Sequence, residues 1–242
     1  MEPVRSTRNP RVSEAVRLHR ARDRRELGLT LLEGPHLVSE AVGAGAGVRE
    51  IFGIGEPPFD IGSARWIEVT EPVLERLSGT RSPRGPIAVM RIPDPPPPTR
   101  DHLTLDIADP GNAGTLIRTS AAFGLDVVFR SGAVDPWAPK VLRAAAGAHF
   151  RTTVALRPAP DAGTIATVVE GGIAPRGLGE VLDPGRMWSV LVGSEPHGLD
   201  AVEAASADFR VSVPMPGGTE SLNAAVAGSI VAYELALWRN PG

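Results

Sequence analysis

Leu191-Val-Gly-Ser-Glu-Pro-His-Gly-Leu199, followed by Val213-Pro-Met-Pro-Gly-Gly-Thr-Glu-Ser-Leu-Asn223, decides how this chain folds. Each string leaves an apolar run and then releases Gly, Ser, Glu or Asn together. The second leads into an alanine-rich stretch with one charge before Trp238. The order is strand, polar loop, strand, polar loop, helix. In an open parallel sheet, ligands bind at the carboxyl edge of the strands, so these polar residues fall on the edge where chemistry is done.

Upstream, Asp106-Ile-Ala-Asp-Pro-Gly-Asn-Ala-Gly-Thr-Leu-Ile-Arg118 repeats the arrangement. A strand from Leu103 to Ala108 stops at Asp109-Pro110, Gly111 and Gly114 permit a close approach, and Asn112 stands at the expected N-cap of a helix from Gly114 to Phe123. Arg118 lies about 9 Å along that helix from Asn112, at roughly 1.5 Å per residue. Helical side chains lean toward the N-terminus, which returns its guanidinium to the strand-end edge, where it is suited to gripping a phosphate. Each cluster alone also has an ordinary reading: a capped turn at Asn112, a capping acid at Glu195, an N-cap at Ser221. Three polar strand ends converging in one sheet are what point to a site.

Further strands are expected from Asp126 to Arg130, Thr152 to Leu156, Ser189 to Val192 and Phe209 to Val213, with helices from Pro136 to Ala146 and Ser221 to Trp238. Strands and helices alternate and the strands are nearly all apolar, so the fold class is α/β with a buried, mostly parallel sheet. The run Ile92-Pro-Asp-Pro-Pro-Pro-Pro-Thr99 forms an extended spacer without backbone donors. It divides the chain into domain 1–92, linker 93–99 and domain 100–242. The first domain reads as a small α/β unit. Helices are expected from Asn9 to Asp23, with a basic face, from Pro35 to Val42 and from Glu71 to Leu77. Strands are expected from Arg49 to Ile54, Ala64 to Val69 and Ile87 to Ile92.

Composition removes several classes of function. The chain has no cysteine and five scattered histidines, which leaves no disulfide, no thiolate nucleophile and no expected metal site. No apolar run is long enough to span a bilayer and the first residues lack a secretory pattern, so the chain reads as cytoplasmic, with no membrane partner. A formal charge of −3 gives no general attraction to nucleic acid, yet the first 30 residues hold eight arginines against four acids. Arg17, Arg20, Arg24 and Arg25 are the candidate phosphate contacts there. Gly43-Ala-Gly-Ala-Gly47 imitates a dinucleotide fingerprint but follows a helix and precedes a strand, the reverse of what that motif needs. A nicotinamide oxidoreductase therefore has only misplaced glycines in its favour. Serine-elbow and P-loop motifs are missing too.

Asp109-Pro-Gly-Asn112 through Arg118, Gly193-Ser-Glu195 with Gly198-Leu199, and Pro214-Met215 with Glu220-Ser-Leu-Asn223-Ala resemble the three signature motifs of the SpoU (TrmH) family of RNA ribose 2′-O-methyltransferases, in the SPOUT superfamily. Asn9-Pro10 with the arginine-rich helix, Leu31-Leu-Glu-Gly34 and Glu40-Ala41 are similar to the L30e-like RNA-binding domain that precedes many such enzymes. The resemblance covers nearly the whole chain. It implies a C-terminal trefoil knot, S-adenosylmethionine as cofactor and a homodimer formed through the C-terminal domain, with active sites that borrow from both chains. Carried over by position, Gly193, Val213, Met215, Ser221 and Leu222 line the cofactor pocket. Arg118 is the catalytic arginine, with Asn112, Glu195, Ser221 and Asn223 around it. Two positions depart from the pattern: Pro196 follows the glutamate, and the segment 140–147 has alanine where relatives often carry serine. The implied substrate is structured RNA, ribosomal (23S) RNA before transfer RNA. A non-catalytic RNA-binding protein of the same fold, or a related enzyme acting on a base or protein, are the alternatives.

Overall fold

Pro10, Pro35, Pro72, Pro110 and Pro139 each sit in the first turn of a helix, where a missing N–H costs nothing. The computed structural model describes residues 2–80, 83, 85–194 and 198–240. Along the chain the elements are α1 (Pro10–Arg17), α2 (Ala21–Leu27), β1 (Leu29–Glu33), α3 (Pro35–Gly43), β2 (Val48–Gly53), β3 (Arg65–Glu68), α4 (Glu71–Leu77) and β4 (Ile87–Arg91). They continue as β5 (His102–Leu105), α5 (Pro110–Phe123), β6 (Asp126–Phe129), α6 (Pro139–Ala145), β7 (Val154–Ala155), β8 (Gly163–Thr167), α7 (Leu178–Val181), β9 (Trp188–Val192), α8 (Ala201–Ser206), β10 (Phe209–Val211) and α9 (Ala224–Arg239).

The first compact unit runs to Asp94 and also takes in Trp137–Phe150. Its sheet has the order β1-β4-β2-β3, with β4 antiparallel to β1 and β2 and β3 parallel to β2. Leu18, Leu31, Phe52, Leu77 and Ile87 fill its core. The helix expected from Asn9 to Asp23 is two helices, broken so that Leu18 enters the core. The buried Arg24 closes the break by donating from Nη1 to the carbonyls of Leu18 and His19, at 2.9 and 3.1 Å. Gly28, in the left-handed region at φ 63°, then ends α2 and admits β1, a strand the pattern of Leu29 to Glu33 did not announce. The expected helix from Pro136 to Ala146 is α6, and it belongs to this unit. Arg143 supplies the counter-charge for Glu33 at 2.9 Å, while Thr30 Oγ1 donates to the Trp137 carbonyl at 2.6 Å.

The second unit holds Pro95–Pro136 and the chain from Arg151 onward. Its six strands are all parallel, in the order β10-β8-β9-β5-β6-β7. Strand β8 was not expected. Gly163-Thr-Ile-Ala-Thr167 carries too little apolar content to read as buried, and it is kept in the sheet by neighbours on both sides. Helices α5 and α9 pack against each other, with Thr119 and Ser229 sharing a hydrogen bond at 2.8 Å. Gly228 makes the approach possible, because a Cβ there would stand 2.9 Å from Leu116 Cδ2 and 3.0 Å from Val192 Cγ2. Arg239 pins the far end of α9 through Asp101, with Nε to Oδ2 at 2.5 Å and Nη2 to Oδ1 at 2.9 Å. Strand β10 is gripped on two edges by one stretch of chain. Val168 N–H donates to the Val211 carbonyl, Ile173 N–H donates to the Arg210 carbonyl, and Ser212 N–H donates back to Ile173.

Candidate active site

In-register pairing sets the geometry of the site. Leu105 stands opposite Val192 in β9 and opposite Phe129 in β6, so Gly193, Asp106 and Arg130 leave the sheet at one level. At this carboxyl edge the ends of β8, β9 and β10 and the start of α9 surround a hollow of about 770 Å³, part of it open to solvent.

Gly193, Val213, Met215, Ser221 and Leu222, the five residues assigned to the cofactor, all line this hollow. Gly193 is there for closeness: an added Cβ would lie 2.2 Å from the Gly198 carbonyl carbon and 2.3 Å from Leu199 N. Gly198, at φ 66°, turns the loop back so that its N–H donates to the Ser194 carbonyl at 2.7 Å. Thr167, Val168 and Val169 add a wall from the end of β8, and Ala227 and Val231 add another from α9. The β8 wall was missed in the sequence because β8 itself gave no signal. Apolar walls that also carry Ser194 and Ser221 suit a small ligand with both apolar and polar faces. Glu195, with Pro196, lies outside the described residues.

Two of the polar motifs are joined directly. Asn223 is the N-cap of α9, its Oδ1 accepting from the N–H groups of Ala225 and Val226 at 3.0 and 3.2 Å. This leaves Nδ2 to donate to Asn112 Oδ1 at 3.1 Å. The expected caps are thereby corrected. Asp109, not Asn112, caps α5, accepting from the Asn112 N–H at 2.8 Å. Likewise Ser221 precedes the cap of α9 and faces the hollow instead. In both cases the residue earlier or later in the motif has the better geometry for the orphan N–H groups. Ser221 thus lines the hollow, while Asn223, between the lining residues Leu222 and Ala224, and Asn112, bonded to it, stand beside the hollow without lining it. Arg118 does not line it either: it is exposed on α5, and its side chain makes no hydrogen bond or ion pair with another described residue.

In the first unit Arg20 and Arg25 are exposed, and Arg17 is exposed while holding Asp23 at 2.7 Å. Arg24 does not share that surface, being buried and committed to backbone carbonyls. Among the described residues no group of three or more His, Cys, Asp or Glu is placed to hold a metal ion. No helix among them is long and apolar enough to cross a membrane.

Comparison with known proteins gives two family matches: the SpoU rRNA Methylase family over residues 103–233 and an MRM3-like substrate binding domain over residues 9–88. The 23S rRNA (guanosine(2553)-2′-O)-methyltransferase RlmP of Bacillus subtilis is 33% identical, over 97% of this chain and 99% of that protein. The mitochondrial rRNA methyltransferase 3A of Danio rerio is 29% identical, over 96% of this chain and 68% of that one. Among solved structures, the AdoMet-bound rRNA methyltransferase from Sinorhizobium meliloti superposes with a TM-score of 0.83 at 25% identity, covering 98% of this chain and 97% of that chain. The SpoU methyltransferase AviRb from Streptomyces viridochromogenes, in complex with AdoMet, gives 0.83 at 25% identity over 97% of this chain and 100% of that chain.

Proposed function

The chain belongs to the SpoU rRNA methylase family, and on that premise we propose that it transfers a methyl group from S-adenosylmethionine to a ribose 2′-hydroxyl of ribosomal RNA. The observation that carries this reading is the junction of Asn112 with Asn223 beside the hollow that Ser221, Leu222 and Ala224 line. Polar groups able to orient a hydroxyl stand next to this hollow.

The cofactor, when bound, supplies a methyl group on a sulfonium, already strongly electrophilic. The protein's task is alignment, which can contribute up to roughly 7–11 kcal/mol when reacting atoms are held in line. Asn112 and Asn223 hold each other and present their remaining amide groups to the ribose. Arg118 is a donor only, since a guanidinium carries five N–H groups and no acceptor, so it holds the substrate phosphate and leaves proton removal to another group.

Arg118 serves the site of a second copy, and this is why it is exposed in the single chain. Support comes from α9, where Val226, Tyr233 and Leu237 are 47%, 46% and 45% exposed on one stripe beside α5, an apolar face suited to a homodimer. We also read the C-terminal strands as threaded into the knot that the family resemblance implies. The grip of Val168 and Ile173 on opposite edges of β10 supports this. Gly172 supports it too, because a Cβ there would meet the Ser212 nitrogen at 2.6 Å.

The test is transfer of label from methyl-tritiated S-adenosylmethionine to unmethylated ribosomal RNA, followed by nucleoside analysis. Label on a ribose 2′-oxygen is the expected result. Label on a base, on transfer RNA alone or on nothing overturns the assignment.

A further inference from the structure

Arg130 and Glu203 form an ion pair that spans the carboxyl edge of the sheet. Arg130 follows β6, Glu203 sits in α8 within the connection that leaves β9, and β5 lies between β6 and β9. Since Arg130 stands level with Asp106 and Gly193, its Cα is two strand spacings, about 10 Å, from the glycine that lines the hollow. An extended arginine side chain covers most of that distance. The pair is not sealed: the two side chains are 31% and 28% exposed, so it is an interaction that solvent and competing anions reach. A guanidinium has five N–H donors in a fork that fits phosphate bidentately, and one carboxylate does not use them all.

We infer that Arg130 is a contact for a phosphodiester flanking the target nucleotide, held in place by Glu203 until RNA displaces the carboxylate. The inference rests on the reading of the chain as an RNA methyltransferase. It places a second cation, besides Arg118, at the carboxyl edge of the sheet, although neither residue lines the hollow itself. It also gives Glu203 a role opposite in sign to that of its partner. As a competitor for the same guanidinium, Glu203 opposes RNA binding, whereas in a purely structural tie the two residues would act alike.

The experiment uses the full chain with transcribed, unmethylated 23S rRNA as the probe, in steady-state methyl transfer and in equilibrium RNA binding across a salt series. Arg130→Ala is expected to raise KM for RNA about tenfold with kcat little changed, and to lower the salt dependence by about one phosphate contact. Arg130→Lys recovers part of the loss. Glu203→Gln is expected to lower KM and tighten binding. If Arg130→Ala and Glu203→Gln shift KM and thermal stability in the same direction, the pair is a structural tie and the inference fails. It fails equally if Arg130→Ala leaves KM and the salt slope untouched. Should the wild-type chain methylate no RNA, the functional reading fails separately, and the salt slope still decides whether Arg130 meets phosphate.

Discussion

The Asn223 side-chain amide donates to the side-chain carbonyl of Asn112 at 3.1 Å, joining residues 111 positions apart. One end of the Asn223 amide group caps α9 and the other holds the first helix of the sheet, so a single side chain sets both the start of the last helix and the orientation of Asn112. Asn223→Ala is expected to lose the cap, about 1 kcal/mol, and methyl transfer with it. Asn223→Asp keeps the cap acceptor and loses the donor, so its melting temperature stays near wild type while activity falls. Thermal melts beside methyl-transfer rates separate the two effects.

Gly193 admits no side chain. Gly193→Ala forces the loop away from Gly198 and Leu199, costing about 1–3 kcal/mol in overpacking, and S-adenosylmethionine binding measured by calorimetry is expected to vanish. Binding that survives unchanged would mean that the close approach of Gly193 to Gly198 and Leu199 is not part of the pocket.

Arg118→Ala is expected to reduce methyl transfer by about 10²–10³-fold, the scale for removing a donor that acts on the reacting groups, while cofactor affinity is kept. Mixing this variant with an Asn223→Ala variant tests the sharing of sites between copies. Heterodimers holding one intact site should recover activity that neither parent has.

In the first unit, Arg20→Ala with Arg25→Ala is expected to make the salt dependence of RNA binding shallower by about 1.4–1.8 in the log–log slope. Arg24→Ala acts on the fold instead. It removes charge-assisted bonds to Leu18 and His19 and lowers the melting temperature.

His102 is fully buried at the start of β5, with Nδ1–H donating to the Arg100 carbonyl at 3.1 Å and Nε2 without a partner among the described residues. Burial pushes its pKa below the ordinary histidine value. The unfolded chain takes up a proton near pH 6.5 and the folded chain does not, so stability is full above about pH 6.5 and declines as pH falls, until the folded pKa is reached. The expected slope from this group is about 1.4 kcal/mol per pH unit. His102→Leu should flatten the melting profile between pH 6.5 and the onset of carboxylate protonation, as read from melts in a pH series.

The sequence was most legible where one side chain announces a chain reversal. Asp109-Pro-Gly and Gly193 marked two strand ends and Asn223 a helix start; the register of β5 and β9 brings the first two to one edge, and the bond from Asn223 to Asn112 ties the third to it. It was least legible where tertiary partners decide. Gly163 to Thr167 becomes a strand only because β9 and β10 flank it, and the wall it gives to the pocket was therefore invisible. Arg24 looked like its exposed neighbours, since charge patterning records residue type and not burial. The capping roles of Asp109 and Asn223 went to neighbouring residues in the reading because Asn, Ser and Asp are near-equal caps, and backbone dihedrals choose among them.

Strand β10 takes backbone hydrogen bonds from Val168 on one edge and from Ile173 on the other, both in the stretch that follows β8. Since Val168 and Val211 both line the hollow, the length of the 168–173 connection sets the shape of that wall. An insertion or deletion there should disturb ligand binding before it disturbs the rest of the sheet.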